Sequence, residues 1–288
     1  ELTFIGADLA WDLTTGSGVT IGIAENVNIS HHDLVNKSDI VDNFTNNPNS
    51  VGHGTQVALI AGANTDNNIG MSSVGFDVKV LSAYYYSGLL PLAQSGARVI
   101  NMSWGSCQTN PTIYENTLIN EVYEDYNVVL VAAAGNGQWS CQAGPQYMHF
   151  PASFDNVISV TNVGHQYEIG TAGYHEDLWK NVFLRSSPPY YATYNEKVDM
   201  SAPGWNILTA TTNSLESYSY GSGTSYSAPL VTGTIGLMLS VNECLFPDEV
   251  ESIQSRIGVA DLPMDPMPLD IADIFVILTP KDQWTQAE

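Results

Sequence analysis

Three short segments carry residue types that suit acyl-transfer chemistry. In GHGTQVALIAG, residues 52–62, His53 stands between two glycines and opens an apolar stretch. Small neighbours let a substrate approach the imidazole, and a helix behind it would fix the ring. In GSGTSYSAPLVTG, residues 221–233, Ser225 follows a glycine-rich loop that includes Gly223. Backbone N–H groups and the dipole of a helix starting there favour a developing negative charge. In AAAGNG, residues 132–137, Asn136 projects an amide from a tight glycine turn at the end of a strand. Taken alone, each has an ordinary structural use: a structural histidine, a serine N-cap, a turn asparagine. The Ser225 motif is also not the G-x-S-x-G nucleophile elbow, since Ser227 stands two residues after Ser225.

The elements that must position these residues read as alternating strands and helices around a parallel sheet. Strands are expected at Val19 to Ala24, Val78 to Ala83, Val99 to Met102, Val128 to Ala133 and Val157 to Val163. A helix should follow His53. Helical spacing of apolar residues predicts another over Ile113 to Tyr126. Thr224 to Leu239 reads as a long helix buried nearly all round, with Pro229 in its first turn. The candidate residues all fall just after strands or at helix starts, where open parallel sheets form their sites. His165 to Lys197 reads as an inserted surface loop system. The text beyond Ala260 is Pro-rich and then apolar over Ile271 to Leu278, and it carries no functional signal.

The 288 residues suffice for one large α/β domain, read here as a single unit over 1–288. Eight Lys and Arg against thirty Asp and Glu give a formal charge of −22, which excludes nucleic acid and anionic membranes as partners. The longest apolar run, Val128 to Ala134, is too short to span a membrane. The chain starts at Glu1 without Met or a signal peptide, as expected of a processed, secreted domain whose targeting and pro-segments are gone. Cys107, Cys141 and Cys244 form no CxxC pair. They permit one disulfide, expected between Cys107 and Cys141 across a cleft rim. The alternative is three reduced, buried thiols.

Together and in this order the motifs resemble those of the subtilisin-like serine proteases. GTSYSAPLVTG matches the family pattern around the nucleophile, HGTQVA the histidine motif, and AAGN the oxyanion motif. SWG at Ser103 to Gly105 resembles the strand that binds substrate backbone, and SAPG at Ser201 to Gly204 the segment before the nucleophile. The likeness runs roughly from Ala7 to Arg256. It implies a three-layer α/β fold with a central, mostly parallel sheet flanked by helices. It also implies Ser225 as nucleophile, His53 as general base, Asn136 as oxyanion donor, and Ser103, Trp104, Gly105 and Gly223 as substrate-binding residues. Trp104 should shape a specificity pocket.

The likeness breaks at the third catalytic residue. The family places Asp at the end of the first core strand, and here the text is TIGIAEN, with Glu25 in that place. Three readings are open. Glu25 orients His53 as Asp would; the substitution leaves a weak enzyme that still binds peptide; or another acid, such as Asp33, serves. The same resemblance makes Asp33 a calcium ligand. The loop TDNNIGM, Thr65 to Met71, would complete that site through Asn67 and the carbonyls of Thr65, Ile69 and Met71. Hard oxygen ligands suit Ca²⁺.

The expected function is that of a secreted, monomeric serine endopeptidase acting on polypeptides, with a cleaved pro-segment as a further partner. A catalytically silent peptide-binding module and a transpeptidase or macrocyclase are the alternatives.

Overall fold

The structure, a computed structural model, describes residues 2–3, 5–42, 51–108, 111–137, 147–165, 179–181, 183–186, 189–212, 214–249, 254–257 and 272–275. Its centre is an eight-stranded sheet. The strands are β1 (Thr20–Ile23), β2 (Ser38–Ile40), β3 (Lys79–Ser82), β4 (Val99–Met102), β5 (Val129–Ala133), β6 (Ile158–His165), β7 (Trp179–Asn181) and β8 (Met200–Pro203). Seven are parallel, in the order β8-β6-β5-β4-β1-β3-β2, and β7 runs antiparallel along the last residues of β6. The strand texts are near-continuous apolar runs because helices cover both faces.

Among the described residues, five helices make the outer layers: α1 (Ala7–Trp11), α2 (His53–Gly62), α3 (Tyr85–Gln94), α4 (Ile113–Glu124) and α5 (Thr224–Val241). Residues of α2 and α5 join one apolar core, with Val57, Leu59, Leu230 and Ile235 fully or almost fully buried. Leu89 and Leu92 of α3 and Ile119 of α4 join a second core on the opposite face of the sheet. The architecture is therefore the three-layer α/β arrangement expected.

The strand order reverses at β1, which pairs with β3 on one side and β4 on the other. A crevice opens at such a switch point, beyond the carboxyl ends of the strands. Glu25 lies just past β1, Ser103 just past β4 and Asn136 just past β5.

Three local outcomes differ from the sequence reading. Helix α3, whose text YYSGLLPLAQ carries Gly88 and Pro91, has no counterpart among the expected elements. Burial of Leu89, Leu92 and Ala93 outweighs that poor propensity. The helix over Ile113 closes at Glu124, and it opens on a capping box between Thr112 and Glu115. Pro229 is the sixth residue of α5, beyond the first turn. Its missing N–H leaves the carbonyl of Ser225, four residues back, without a helical partner. The Ser103 hydroxyl donates to that carbonyl at 3.0 Å instead.

Of the stretch from His165 to Lys197, the described parts include β7 and an antiparallel pair, Phe183–Ser186 with Pro189–Tyr191. In the tail, Gln254–Ile257 pairs antiparallel with Ala272–Phe275. Cys141 lies outside the described residues.

Candidate active site

Glu25 is 3% exposed, and its Oε2 stands 2.7 Å from Nδ1 of His53. The segment that carries it is pinned from three sides. The Ser82 hydroxyl, at the end of β3, donates to the Glu25 carbonyl at 2.8 Å and accepts from the N–H of Val27 at 3.1 Å. Thr55, in the first turn of α2, accepts from the N–H of Asn28 at 2.8 Å. Gly54 lets α2 come this close, since a Cβ there would lie 2.6 Å from the Asn26 carbonyl oxygen and 2.7 Å from Glu25 Cβ. The glycine after His53 thus serves the approach of helix to acid.

The His53 side chain is 41% exposed. Burial of part of the ring pulls its pKa down, but the Glu25 charge and hydrogen bond outweigh this and hold it above the ordinary histidine value. The Tyr226 ring packs edge-on against the imidazole at 5.9 Å. Its hydroxyl donates to Gln56 Oε1 at 3.0 Å, which ties α5 to α2.

Ser225 is the second residue of α5, and Gly223 holds the N-cap position. Its side chain is therefore not spent on capping. Its hydroxyl donates to the Ser103 carbonyl at 3.1 Å, while the Ser103 hydroxyl donates back to the Ser225 carbonyl. Asn101, buried in β4, donates to Ser103 Oγ at 2.8 Å and accepts from Thr232 of α5 at 3.2 Å. One buried network thus joins the end of β4 to the start of α5.

Asn136 is bound to the same helix start. Its Oδ1 accepts from the N–H and hydroxyl of Thr224, at 3.0 and 3.2 Å. That satisfies one of the orphan donors at the helix N-terminus and turns the NH₂ group away from Thr224. Gly223 has φ +146°, a conformation side chains resist, and a Cβ there would meet the Asn136 amide at 3.2 Å. Thr193 steadies the Asn136 turn by accepting from Gly137 N–H and donating its own N–H to the Gly135 carbonyl.

Trp104 donates its indole N–H to the Ala24 carbonyl at 2.7 Å. Its ring packs edge-on against Tyr85 and Tyr86, at 5.0 and 4.7 Å. It braces the residue beside Glu25 as well as lining the SWG segment. Gly105 precedes the short strand Ser106–Cys107, which pairs with His149–Phe150.

A family model described as "Subtilase family" matches residues 16–257. The chain belongs to that family. It is 31% identical over 254 residues to thermitase of Thermoactinomyces vulgaris, covering 82% of this chain and 80% of thermitase. It is 34% identical over 251 residues to a thermophilic serine proteinase of Bacillus sp. strain AK1, covering 81% of this chain and 55% of that protein. Among solved structures, that of proteases from Pseudoalteromonas arctica superposes with a TM-score of 0.69 at 22% identity, over 94% of this chain and 91% of the other. That likeness speaks for the fold. This subtilase is a subtilisin-like serine peptidase.

Of the expected calcium ligands, Asn67 and Met71 touch Asp33. Asp33 of this subtilase is fully buried. Its carboxylate accepts from Asn67 Nδ2 at 3.0 Å, Met71 N–H at 2.9 Å and the Tyr218 hydroxyl at 3.1 Å. Asn67 Oδ1 accepts from Ile69 N–H at 3.0 Å. Asp66, Asn68 and Gly70 all have φ near +60°, so the loop turns at every second residue. Among the described residues, no hydrogen bond falls on the carbonyls of Thr65, Ile69 or Met71, and no group of three His, Cys, Asp or Glu side chains converges for a metal. One carboxylate and three carbonyls that accept no hydrogen bond are hard oxygen donors, of the type Ca²⁺ takes and softer metals do not.

The sequence reading missed Ser82, Thr55, Gly54 and Thr224 as positioning residues. Gly54 and Thr224 sit inside quoted motifs, but only the fold shows what each touches.

Proposed function

We propose that this subtilase hydrolyses internal peptide bonds through Ser225, His53 and Glu25. The observation that carries the reading is the 2.7 Å contact between His53 and the buried, pinned Glu25. A glutamate so placed can hold the imidazole in one orientation with Nδ1 as donor, and stabilise the imidazolium formed when Nε2 takes a proton. An extended peptide adds to Ser103, Trp104 and Gly105 as a strand, next to Gly223. His53 takes the proton of Ser225 as its Oγ attacks the scissile carbonyl. Asn136 and the Ser225 N–H take the negative charge on the carbonyl oxygen. His53 then returns the proton to the leaving amine, and water releases the acyl group. The Ser225 hydroxyl donates to the Ser103 carbonyl in the structure, so it turns from that carbonyl to Nε2 of His53 when substrate binds, as nucleophile–base contacts often form only in the complex.

Ca²⁺ would be held by Asp33 with the Thr65, Ile69 and Met71 carbonyls, beside Asn67. It would rigidify the loop after α2 and takes no part in the steps above. We further infer a bridge between Cys107 and Cys141. Cys244 is a free, exposed thiol. A bridge of this kind suits a secreted protein. Among the described residues no helix is long and apolar enough to cross a membrane. The enzyme is read as a monomer over its single domain, released from a cleaved pro-segment.

The deciding experiment is labelling with a serine-directed fluorophosphonate alongside a casein digest, for wild type and Ser225→Ala. Labelling and digestion by wild type alone are expected. An unlabelled wild type would leave the peptide-binding alternative.

A further inference from the structure

The proposed acid and base are joined through one carboxylate oxygen. Glu25 Oε2 meets His53 Nδ1 at 2.7 Å, while Oε1 is buried without a hydrogen-bond partner among the described residues. A single bond leaves both groups free to swivel about it. A glutamate also has one more rotatable bond than an aspartate. Catalytic groups work only when aligned, so this pair calls for a stop that the carboxylate does not supply. The Tyr226 ring stands where such a stop would act. It meets the imidazole edge-on, with centroids 5.9 Å apart and planes at 62°. The residue is fixed at three points. It lies in the first turn of α5, one residue after Ser225, and its N–H donates to the Gly223 carbonyl at 3.0 Å. Gly221 makes room for the far end of the ring, since a Cβ there would lie 2.5 Å from Cζ and 2.9 Å from the hydroxyl oxygen. The hydroxyl itself donates to Gln56 Oε1 at 3.0 Å.

Gln56, on α2 with His53, is buried and engaged at both ends of its amide. Its Nε2 donates to the Ala210 carbonyl at 2.7 Å, which leaves Oε1 as the acceptor for Tyr226. Its backbone carbonyl accepts from the Thr209 hydroxyl at 2.8 Å. Ala210 and Gly221 belong to the two strands of one antiparallel hairpin, Ile207–Ala210 with Tyr218–Gly221. That hairpin therefore backs both the ring and the amide that orients it. We propose that Tyr226, locked by Gln56, is a positioning residue for the general base. The inference rests on the peptidase reading above. The ring holds the imidazole plane so that Nε2 faces the Ser225 hydroxyl as that hydroxyl leaves the Ser103 carbonyl. Tyr226 and Ser225 share one helical turn, so the nucleophile and the stop for its base keep a fixed relation. The division of labour is definite. Glu25 sets the charge balance of His53, and Tyr226 sets its direction without adding charge beside the imidazolium.

The test measures kcat and KM on one fluorogenic peptide for wild type, Tyr226→Phe, Gln56→Met, the double variant and Tyr226→Leu. Fluorophosphonate labelling of Ser225 is followed in parallel. Tyr226→Phe and Gln56→Met nearly keep the side-chain volumes, so the outcome does not hang on the larger substitution. Each should lower kcat about tenfold with KM within about twofold of wild type. The double variant should fall no further than Gln56→Met, because the Tyr226 hydroxyl acts only through that amide. Tyr226→Leu removes the ring and should lose about a hundredfold in kcat. In Tyr226→Phe and Gln56→Met the acid limb of the pH profile should stay in place, since direction and not charge is altered. An unchanged kcat in Tyr226→Leu overturns the inference. So do losses that add in the double variant, a raised KM with kcat intact, or an acid limb that moves. A wild type that neither labels nor cleaves would instead overturn the peptidase reading itself.

Discussion

Glu25 has one methylene more than the residue the family resemblance leads one to expect, and the surrounding backbone makes the difference matter. Ser82, Thr55 and Gly54 hold the 25–28 segment where a glutamate reaches His53 at 2.7 Å. Glu25→Asp should therefore not improve the enzyme. Withdrawing the carboxylate by about 1.5 Å should lower kcat/KM about a hundredfold in a peptide assay. Glu25→Gln should cost about 10⁴-fold in kcat, because the amide supports the wrong tautomer and cannot balance an imidazolium. The pH profile gives a second readout. The base must be neutral, so activity rises as pH climbs through the His53 pKa. Glu25 holds that pKa above the ordinary value. In the Glu25→Gln variant the acid limb of kcat/KM should move to lower pH while the plateau falls.

At the level of elements, Pro229 and Ser103 form a matched pair. Proline withholds the N–H that would have bonded the Ser225 carbonyl, and the Ser103 hydroxyl supplies the missing donor. Ser103→Ala should cost about 1–2 kcal/mol, visible as a lower urea midpoint. In a Pro229→Ala background the cost should shrink, because the restored helical N–H takes the carbonyl. A double-mutant cycle measures the coupling, and additive costs would refute the pairing. Asn136 works at the same junction, where its carbonyl oxygen caps Thr224. Asn136→Ala should lose about 10²–10³-fold in kcat and lower the unfolding midpoint as well.

At the level of the whole molecule, the proposed calcium site and the net charge are the two levers on stability. A cation beside Asp33 would pin the loop after α2 to the segment between β1 and β2. Chelation should lower the thermal midpoint, added Ca²⁺ should restore it, and Asp33→Asn should abolish the difference. A midpoint unmoved by chelator would remove calcium from the account. The net charge of −22 also makes the folded surface repel itself. Added NaCl should raise the midpoint by screening that repulsion, including in chelator.

The sequence by itself determined the residue types and the order of elements. Apolar runs such as VINM and VVLVAA had to be strands covered on both faces, and the serine, histidine and asparagine motifs fell where strands end. Those signals are local, set by burial periodicity and by glycine. What the glutamate does was not legible, because its carboxylate position depends on Ser82, Thr55 and Gly54, all distant from it along the chain. Pro229 and Ser103 likewise belong to separate motifs in the text and meet only when α5 docks against the end of β4. A linear pattern can specify which groups are present and which face is apolar. Which groups are left unpaired, and how far a side chain must reach, is decided by packing between distant segments.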